Sequence, residues 1–548
     1  MEMKRFILSF FFFIATLYSL QATDTVQVKQ NRVPVMLERS DNAVYFLRMK
    51  AEEGKRLHEI SLSFGEETNL QDIVAVRLYY GGTEAIQVSS RSGERYAPNA
   101  YIHRDKPGQT RDANLTYSVL CGEVLQPGRK LTFKTDKALT PGINYFWVSV
   151  QMKPTASLTN KWSLAVDKVW MDKQPATLAY ADQEPYLFRM GVGVRHAGDD
   201  GVAAYRIPGI VTTLKGSLVG VYDVRYNNSA DLQECVDIGV SRSTDKGQTW
   251  EPMRIAMSFG ETGGFPRSQN GVGDPAILVD RLTGRLWVIA AWTQGMGNGR
   301  AWFNSQQGMD HKTAQLMLAY SDDDGQTWSK PINITEQVKD PSWYFLLQGP
   351  GMGITMQDGT LVFAAQYINA ERLPSACLIY SKDRGKTWHL HTAPRLDTTE
   401  AQVAETEPGV LMLNMRDNRG GSRAVYTTKD LGMTWEQHPS SRNVLREPVC
   451  MASLIQIPAK ENILGKDILL FSNPDTVKGR NHITIKASLD GGLTFPQAYQ
   501  VMIDEADGWG YSCLTMIDRE TVGILYEGST AHMVFQAIPL KDILNRVP

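Results

Sequence analysis

A chain of 548 residues exceeds what one ordinary hydrophobic core organises, so two domains are expected, one of them large. Its 57 lysines and arginines nearly balance 59 aspartates and glutamates, and no basic block stands out, which argues against nucleic acid or an anionic membrane as partner. The five cysteines (Cys121, Cys235, Cys377, Cys450 and Cys513) are scattered without a CxxC or Cys/His cluster, so they read as small core residues rather than a disulfide scaffold or a zinc site.

At the N-terminus, Lys4-Arg5 precede the apolar run Phe6–Leu17, and Ser19-Leu20-Gln21-Ala22 follows. A charged start, a short apolar run and a small residue describe a signal peptide over residues 1–22. Export to the periplasm or the exterior is therefore expected. The run is too short to span a bilayer comfortably, and no other segment is long enough, so no integral membrane association is expected. No cysteine lies near the junction to carry a lipid.

Residues 24–180 read as short strands: Ala43–Met49, Ile73–Tyr80, Lys130–Lys134, Asn144–Met152 and Ser163–Trp170. Gly81-Gly82, Pro127-Gly128 and Pro141-Gly142 punctuate them, and helical periodicity is nearly absent. A β-sandwich is the expected architecture. A carbohydrate-binding role is open to such a domain, because aromatics such as Tyr101 or Trp162 could stack on sugar rings, although each reads more simply as core. The polar stretch Met171–Pro185 is expected to be the linker.

Residues 185–548 carry a repeat. Ser243-Thr-Asp245-Lys-Gly247-Gln-Thr249-Trp250 returns at Ser321–Trp328, Ser381–Trp388 and Thr428–Trp435, and a fifth copy, Ser488–Phe495, ends in Phe. The chemistry is that of a turn: Ser/Thr and Asp side chains bond local N–H groups, and Gly takes a positive φ. One active site does not need five copies, so these aspartates read as structural. Apolar strands recur at Leu218–Tyr222, Leu286–Ala290, Leu361–Ala365, Leu411–Met415, Ile468–Phe471 and Gly523–Leu525. Six such strands imply an all-β, six-bladed β-propeller, its sixth blade irregular or closed by both chain ends. Phe259–Asn270 and Gln294–His311 are expected to be loops at the rim of its site.

Blade ends converge in a propeller, so polar residues at strand ends can share a pocket. In Tyr205-Arg206-Ile207-Pro208 through Asp231, two strand-like runs bring Arg206, Arg225 and the loop residue Asp231 to one end. The two arginines read as a pair gripping one carboxylate, with an acid beside them. Glu400 precedes and Arg416 follows the fourth repeated strand. Arg480 follows the fifth, Tyr511 lies in Gly-Trp-Gly-Tyr-Ser, and Glu527 ends the sixth. Glu405 and Glu407 share the acidic stretch with Glu400. Taken singly, each of these residues has an ordinary structural explanation.

Together they resemble the bacterial exo-α-sialidases with Asp-box repeats, over roughly Pro185–Pro548. The Tyr-Arg-Ile-Pro motif, the boxes, the spaced arginines and the late Gly-Tyr-Ser carry the resemblance; Tyr205 and Phe495 are its minor departures. The N-terminal region resembles the accessory domain of some secreted sialidases. The resemblance also implies a six-bladed propeller. It implies an arginine triad of Arg206, Arg416 and Arg480 on the substrate carboxylate, with Glu527 buttressing Arg206. Asp231 would be the acid/base, Tyr511 the nucleophile and Glu400 its partner base. Arg225 and Asp274 would meet the sugar's other substituents. The implied reaction removes terminal sialic acid from sialylated glycans with retention, through a sialyl-tyrosine, and needs no cofactor or metal. Asp231 would need partial shielding from arginines to hold its proton. A trans-sialidase or intramolecular trans-sialidase would use the same residues; a non-catalytic glycan-binding propeller would be expected to lose Asp231, Tyr511 or Glu400.

Overall fold

The computed structural model describes residues 24–83, 118–172, 174–182 and 186–544. The expected signal peptide and Tyr101 lie outside the described residues.

The N-terminal region forms two sheets around a shared core. One runs in the order Thr177–Tyr180, Thr25–Gln30, Ala43–Ala51, Gly142–Met152, Ile73–Gly82 and Val119–Leu125. The other runs Gln174–Pro175, Leu164–Met171, Arg56–Phe64 and Lys130–Ala138. Alternation directs side chains inward: Val26 and Val28 from the first sheet, and Ile60, Leu62 and Phe64 from the second, join one apolar cluster. The expected linker is largely consumed by strands. Thr177–Tyr180 pairs in parallel with Thr25–Val28, and Gln174–Pro175 pairs with Trp170 and Met171. Edge pairing uses the backbone, so polar side chains there are no obstacle.

Trp162 is buried and stacks on Phe188 of the second half, with ring centroids 4.6 Å apart. It is core, not a sugar platform. Val35–Met36 pairs with Met190–Gly191, and Lys161–Trp162 pairs with Phe188–Arg189. One apolar cluster therefore runs from Val26 through Phe188 and Tyr205 to Phe535. Lys161 and Arg189 both pair with Asp542, closing the same junction.

Among the described residues, the second half contains six sheets of four or more mainly antiparallel strands, beginning with Ala204–Thr212, Val272–Val279, Phe345–Gln348, Thr398–Glu407, Ser453–Ile457 and Ser512–Met516, and a small pair of Gly421–Ser422 with Arg446–Glu447. Each of these strands, or the short strand that continues it, meets its counterpart in the next sheet, and Ser512–Met516 meets Ala204–Thr212. The six repeated strands read from the sequence are the second in each sheet, one layer further out. The last sheet is completed by Phe188–Arg195, which pairs with Met533–Pro539. Its edge is thus closed by the two ends of this half.

The five repeated turns have one bonding scheme. In the first, Gly247 N donates to Ser243 Oγ (2.9 Å), while Thr249 N (2.9 Å) and Thr249 Oγ1 (2.6 Å) donate to the Asp245 carboxylate. The copies at Asp323, Asp383, Asp430 and Asp490 repeat it. Burial works against ionisation at Asp323 and Asp383, yet these hydrogen bonds prevail and hold both pKa values at about 2. These aspartates are fully used in closing their own turns.

The stacked junction has a measurable consequence. Phe188→Ala removes a ring packed on Trp162, Tyr45 and Tyr186. A loss of about 3–5 kcal/mol is expected. Denaturant unfolding followed by tryptophan fluorescence should show one earlier transition; an unchanged midpoint would contradict the packing.

Candidate active site

Three of the first strands carry the same irregularity. Between Arg206 and Gly209, between Gly273 and Ala276, and between Thr398 and Ala401, the strand has one residue more than its partner. These are β-bulges, which bend a strand and re-aim its side chains. Ile207 and Asp274 sit in them with φ of 63° and 58°. A β-branched residue at positive φ is strained, and must be held by its surroundings. The hold is visible: Ile207 N donates to Glu527 Oε1 at 2.9 Å. Gly209, just beyond, has no room for a side chain, because a Cβ there would lie 2.3 Å from the Gly351 carbonyl oxygen.

Glu527 is fully buried and binds three donors besides. Arg206 Nε donates to it at 2.7 Å, Arg206 Nη2 at 3.5 Å, and Tyr511 N at 3.0 Å. Arg206 lies with its guanidinium carbon 5.0 Å from the Trp509 ring and 5.5 Å from the Tyr511 ring. Arg480 lies 5.5 Å from the same Tyr511 ring. Its own donors go to carbonyls, Nη1 to Trp509 O (2.9 Å) and Nη2 to Val449 O (3.3 Å). Gly510 permits this approach: it has φ of 89°, and a Cβ there would lie 3.0 Å from Arg480 Cβ.

Arg416 closes the group. Its Nη1 donates to Glu400 Oε2 (2.6 Å) and to the Tyr511 hydroxyl (3.2 Å). The Tyr511 hydroxyl donates to Glu400 Oε1 at 2.5 Å. Of the three acids in this stretch, Glu400 is the one that reaches Tyr511. Glu405 binds Gln357 N and Gly409 N, and Glu407 is exposed. Burial and the neighbouring Glu400 carboxylate push the Tyr511 phenol well above its ordinary pKa, against the pull of Arg416 and Arg480. The phenol is therefore neutral at rest. Ile207, Cys450 and Met451 pack with Tyr511 as an apolar floor.

The three arginines expected to form a triad thus surround Tyr511. Arg206 faces Glu527 and Arg416 faces Glu400, whereas Arg480 has no carboxylate partner among the described residues. Arg480 therefore keeps a positive charge that no contacting carboxylate offsets, suited to a monoanionic ligand.

Arg225, expected to meet the sugar's other substituents, has protein partners of its own. It is 2% exposed and spends its donors on Asp223 (2.9 Å), Asp231 (3.0 Å) and Ser229 O (2.7 Å). It braces the loop that carries Asp231. Asp274 donates its N–H to Asp223 at 2.8 Å, and Gln348 donates to its carbonyl. Its carboxylate accepts no protein hydrogen bond among the described residues. Burial and Asp223 raise its pKa well above the usual carboxylate range.

The expected shielding of Asp231 is absent. Arg225 lies 3.0 Å away, Arg300 3.3 Å and Arg206 3.9 Å. Burial would raise its pKa, but these cations together lower it. The loop is short, so its carboxylate falls among the arginines of the strands beneath it.

Asp223, Gln348, Trp509 and Arg300 were not read from the sequence. Asp223 had a signal: it precedes Arg225 by two on one strand and lies opposite Arg206 in register, so all three share a face. Arg300 had none, because its position depends on loop geometry.

A model of the N-terminal domain of BNR-repeat neuraminidase matches residues 23–175, and a BNR repeat-like domain matches residues 207–527. A sialidase of Bacteroides fragilis (strain YCH46) is 59% identical over 538 residues, spanning 98% of both chains. The chain belongs to the BNR-repeat sialidases. As a sialidase it is a glycosidase. Among solved structures, Hadza microbial sialidase Hz136 is 59% identical, with a TM-score of 0.89 over 94% of this chain and 99% of that one. Trypanosoma rangeli sialidase in complex with 2,3-difluorosialic acid (covalent intermediate) shares the fold, at 22% identity and a TM-score of 0.52 over 64% of this chain and 57% of that one.

The Glu527 contacts in this sialidase generate a prediction. Glu527→Gln removes the charge that compensates Arg206 and turns an amide donor toward other donors. A stability loss of about 3–5 kcal/mol is expected, as for one partner removed from a buried pair. Urea unfolding measures it. An unchanged midpoint would mean that water, not Glu527, solvates Arg206.

Proposed function

We propose that the protein is an exo-α-sialidase that releases terminal sialic acid from glycans with retention, through a covalent sialyl-tyrosine. The observation that carries this reading is the 2.5 Å hydrogen bond from the Tyr511 hydroxyl to Glu400, inside a ring of three arginines. Arg206, Arg416 and Arg480 bind the carboxylate on the anomeric carbon. A carboxylate nucleophile would be repelled by that group in a low-dielectric pocket, and a neutral phenol is not. Glu400 takes the phenol proton as Tyr511 attacks, and Asp231 protonates the leaving oxygen. Asp231 then deprotonates the water that attacks the anomeric carbon, and Tyr511 leaves with the proton returned by Glu400. Buried carboxylates around the ring stabilise the positive charge that develops on the sugar.

The substrate resolves the tension at Asp231. Its carboxylate neutralises Arg206 and places a negative charge nearby, and both effects raise the Asp231 pKa. Asp274, with its unengaged carboxyl, meets a hydroxyl or amide of the sugar. The scaffold is a six-bladed β-propeller, supported by the six sheets that touch in order, preceded by a β-sandwich. Residues 1–22 direct export, supported by the charged start and apolar run.

Tyr511→Phe is expected to lower kcat/KM for 3′-sialyllactose by about 10³-fold or more without unfolding. NMR of the wild-type reaction should show the α-anomer of free sialic acid first. Incubation with 2,3-difluorosialic acid should add its glycosyl mass to the Tyr511 peptide. Full hydrolysis by Tyr511→Phe, or the β-anomer first, would refute the mechanism. A cyclised anhydro product would reassign the enzyme as an intramolecular transferase.

A further inference from the structure

The two oxygens of Asp231 face different surroundings. Oδ1 points to Arg225 (3.0 Å) and Arg206 (3.9 Å), both buried. Oδ2 points to Arg300 (3.3 Å), whose side chain is 63% exposed. The Arg206 side is the substrate-carboxylate side in the reading above. Oδ2 is then the outer oxygen, on the side where the leaving group departs.

Arg300 is placed there by its backbone. Gln233 N donates to Gly299 O (3.1 Å), and Ala301 N donates to Leu232 O (2.7 Å). These bonds pin the rim segment on both sides of Arg300 to the residues that follow Asp231. The segment is itself anchored. Trp302 packs on Phe345, Asn304 donates to Met296 O and Asn298 O, and Lys339 Nζ donates to Gly308 O (2.7 Å). The second rim loop supports it, since Gly297 N donates to Gln269 Oε1 (2.9 Å). Arg300 is thus an exposed cation on a fixed backbone, with a flexible stem and a half-exposed partner.

We propose that Arg300 is a specificity-determining residue that recognises a carboxylate on the leaving group, as when one sialic acid is linked to another. This inference rests on the reading of Asp231 as the proton donor. A carboxylate on the leaving sugar competes with Asp231 for the exposed guanidinium. When it wins, Arg300 is drawn off Oδ2, the oxygen that must carry the proton. A neutral leaving group such as lactose offers no such competitor, so Arg300 stays on Asp231 and keeps its pKa lower than with an anionic leaving group. The same residue therefore favours anionic leaving groups twice, by binding them and by freeing the acid.

The other charged groups around Asp231 do not substitute for it. Arg225 is committed to Asp223 and Ser229 O as well, and Arg206 to Glu527. Asp274, in the next sheet, is kept protonated by burial and by its neighbouring carboxylates, Asp231 among them, and offers no charge to compete for Arg300. Glu234, on the same loop, is engaged by Asn227 and Asn228. Arg300 alone among these cations is largely exposed to an incoming group.

The test compares full-length wild type, Arg300→Gln and Arg300→Lys on an α2,8-linked sialic acid dimer and on 3′-sialyllactose, with kcat/KM measured across pH. In Arg300→Gln the dimer-to-lactoside ratio is expected to fall about two- to fivefold, the size of an exposed charge pair. Arg300→Lys, which keeps the charge, should retain most of the ratio. The acid must be protonated, so the basic limb of kcat/KM reports its pKa; removing a cation moves that limb to higher pH. An unchanged ratio in Arg300→Gln overturns the inference, and so does an equal fall in Arg300→Lys. Asp231→Ala serves as the separate control. If it hydrolyses the lactoside normally, the proton-donor reading fails, whatever Arg300 does.

Discussion

The site depends on keeping three guanidiniums together in a largely buried space. Like charges gathered around one ring repel strongly where the dielectric is low. Two carboxylates make the arrangement possible. Glu527 takes Arg206 and Glu400 takes Arg416, and each also binds Tyr511, one at its backbone N–H and the other at its hydroxyl. The nucleophile candidate and the anion-binding arginines are thus fixed by the same two groups. A displacement of either carboxylate would disturb charge balance and geometry at once. The charge left over, on Arg480, is what makes an anion welcome.

This arrangement demands backbone that ordinary strands do not supply. The one-residue bulges at Ile207, Asp274 and Glu400 recur in the first, second and fourth sheets of the second half. Each bends a strand end and re-aims the side chains it carries. The cost is strain, most clearly at Ile207 with φ of 63°. Glu527 offsets part of it by binding the Ile207 N–H. The closed set of sheets, completed by Phe188–Arg195, keeps these ends in place.

Legibility followed the range of the interactions. The Asp-box turns were readable because their hydrogen bonds span only four residues. The repeated apolar strands were readable for the same reason, but their layer was not. They are second in each sheet, while the preceding strands, broken by bulges and functional residues, carry the weaker pattern. Glu400, Arg416 and Tyr511 were recoverable only jointly, from their order along the chain. The protein partners of Arg225 were not legible, because an arginine at a strand end looks the same whether it reaches a ligand or a buried aspartate. The short strands within Met171–Pro185 were not legible because an edge strand rests on backbone pairing and leaves no apolar trace.

Asp231 shows why such a site needs its ligand to be complete. As the proton donor of the proposed mechanism, a carboxyl set among Arg225, Arg206 and Arg300 retains its proton poorly in the free protein. The same cations become an asset once an anion arrives, because its charge is felt most where positive charge is concentrated. Binding and proton affinity are then linked: the group that fills the arginine ring also helps to arm the acid beside it. A neutral ligand of the same shape would fill the pocket without raising the Asp231 pKa. Under the proposed mechanism, selectivity for an anionic sugar therefore resides in the protonation of Asp231 as well as in the grip of Arg206, Arg416 and Arg480.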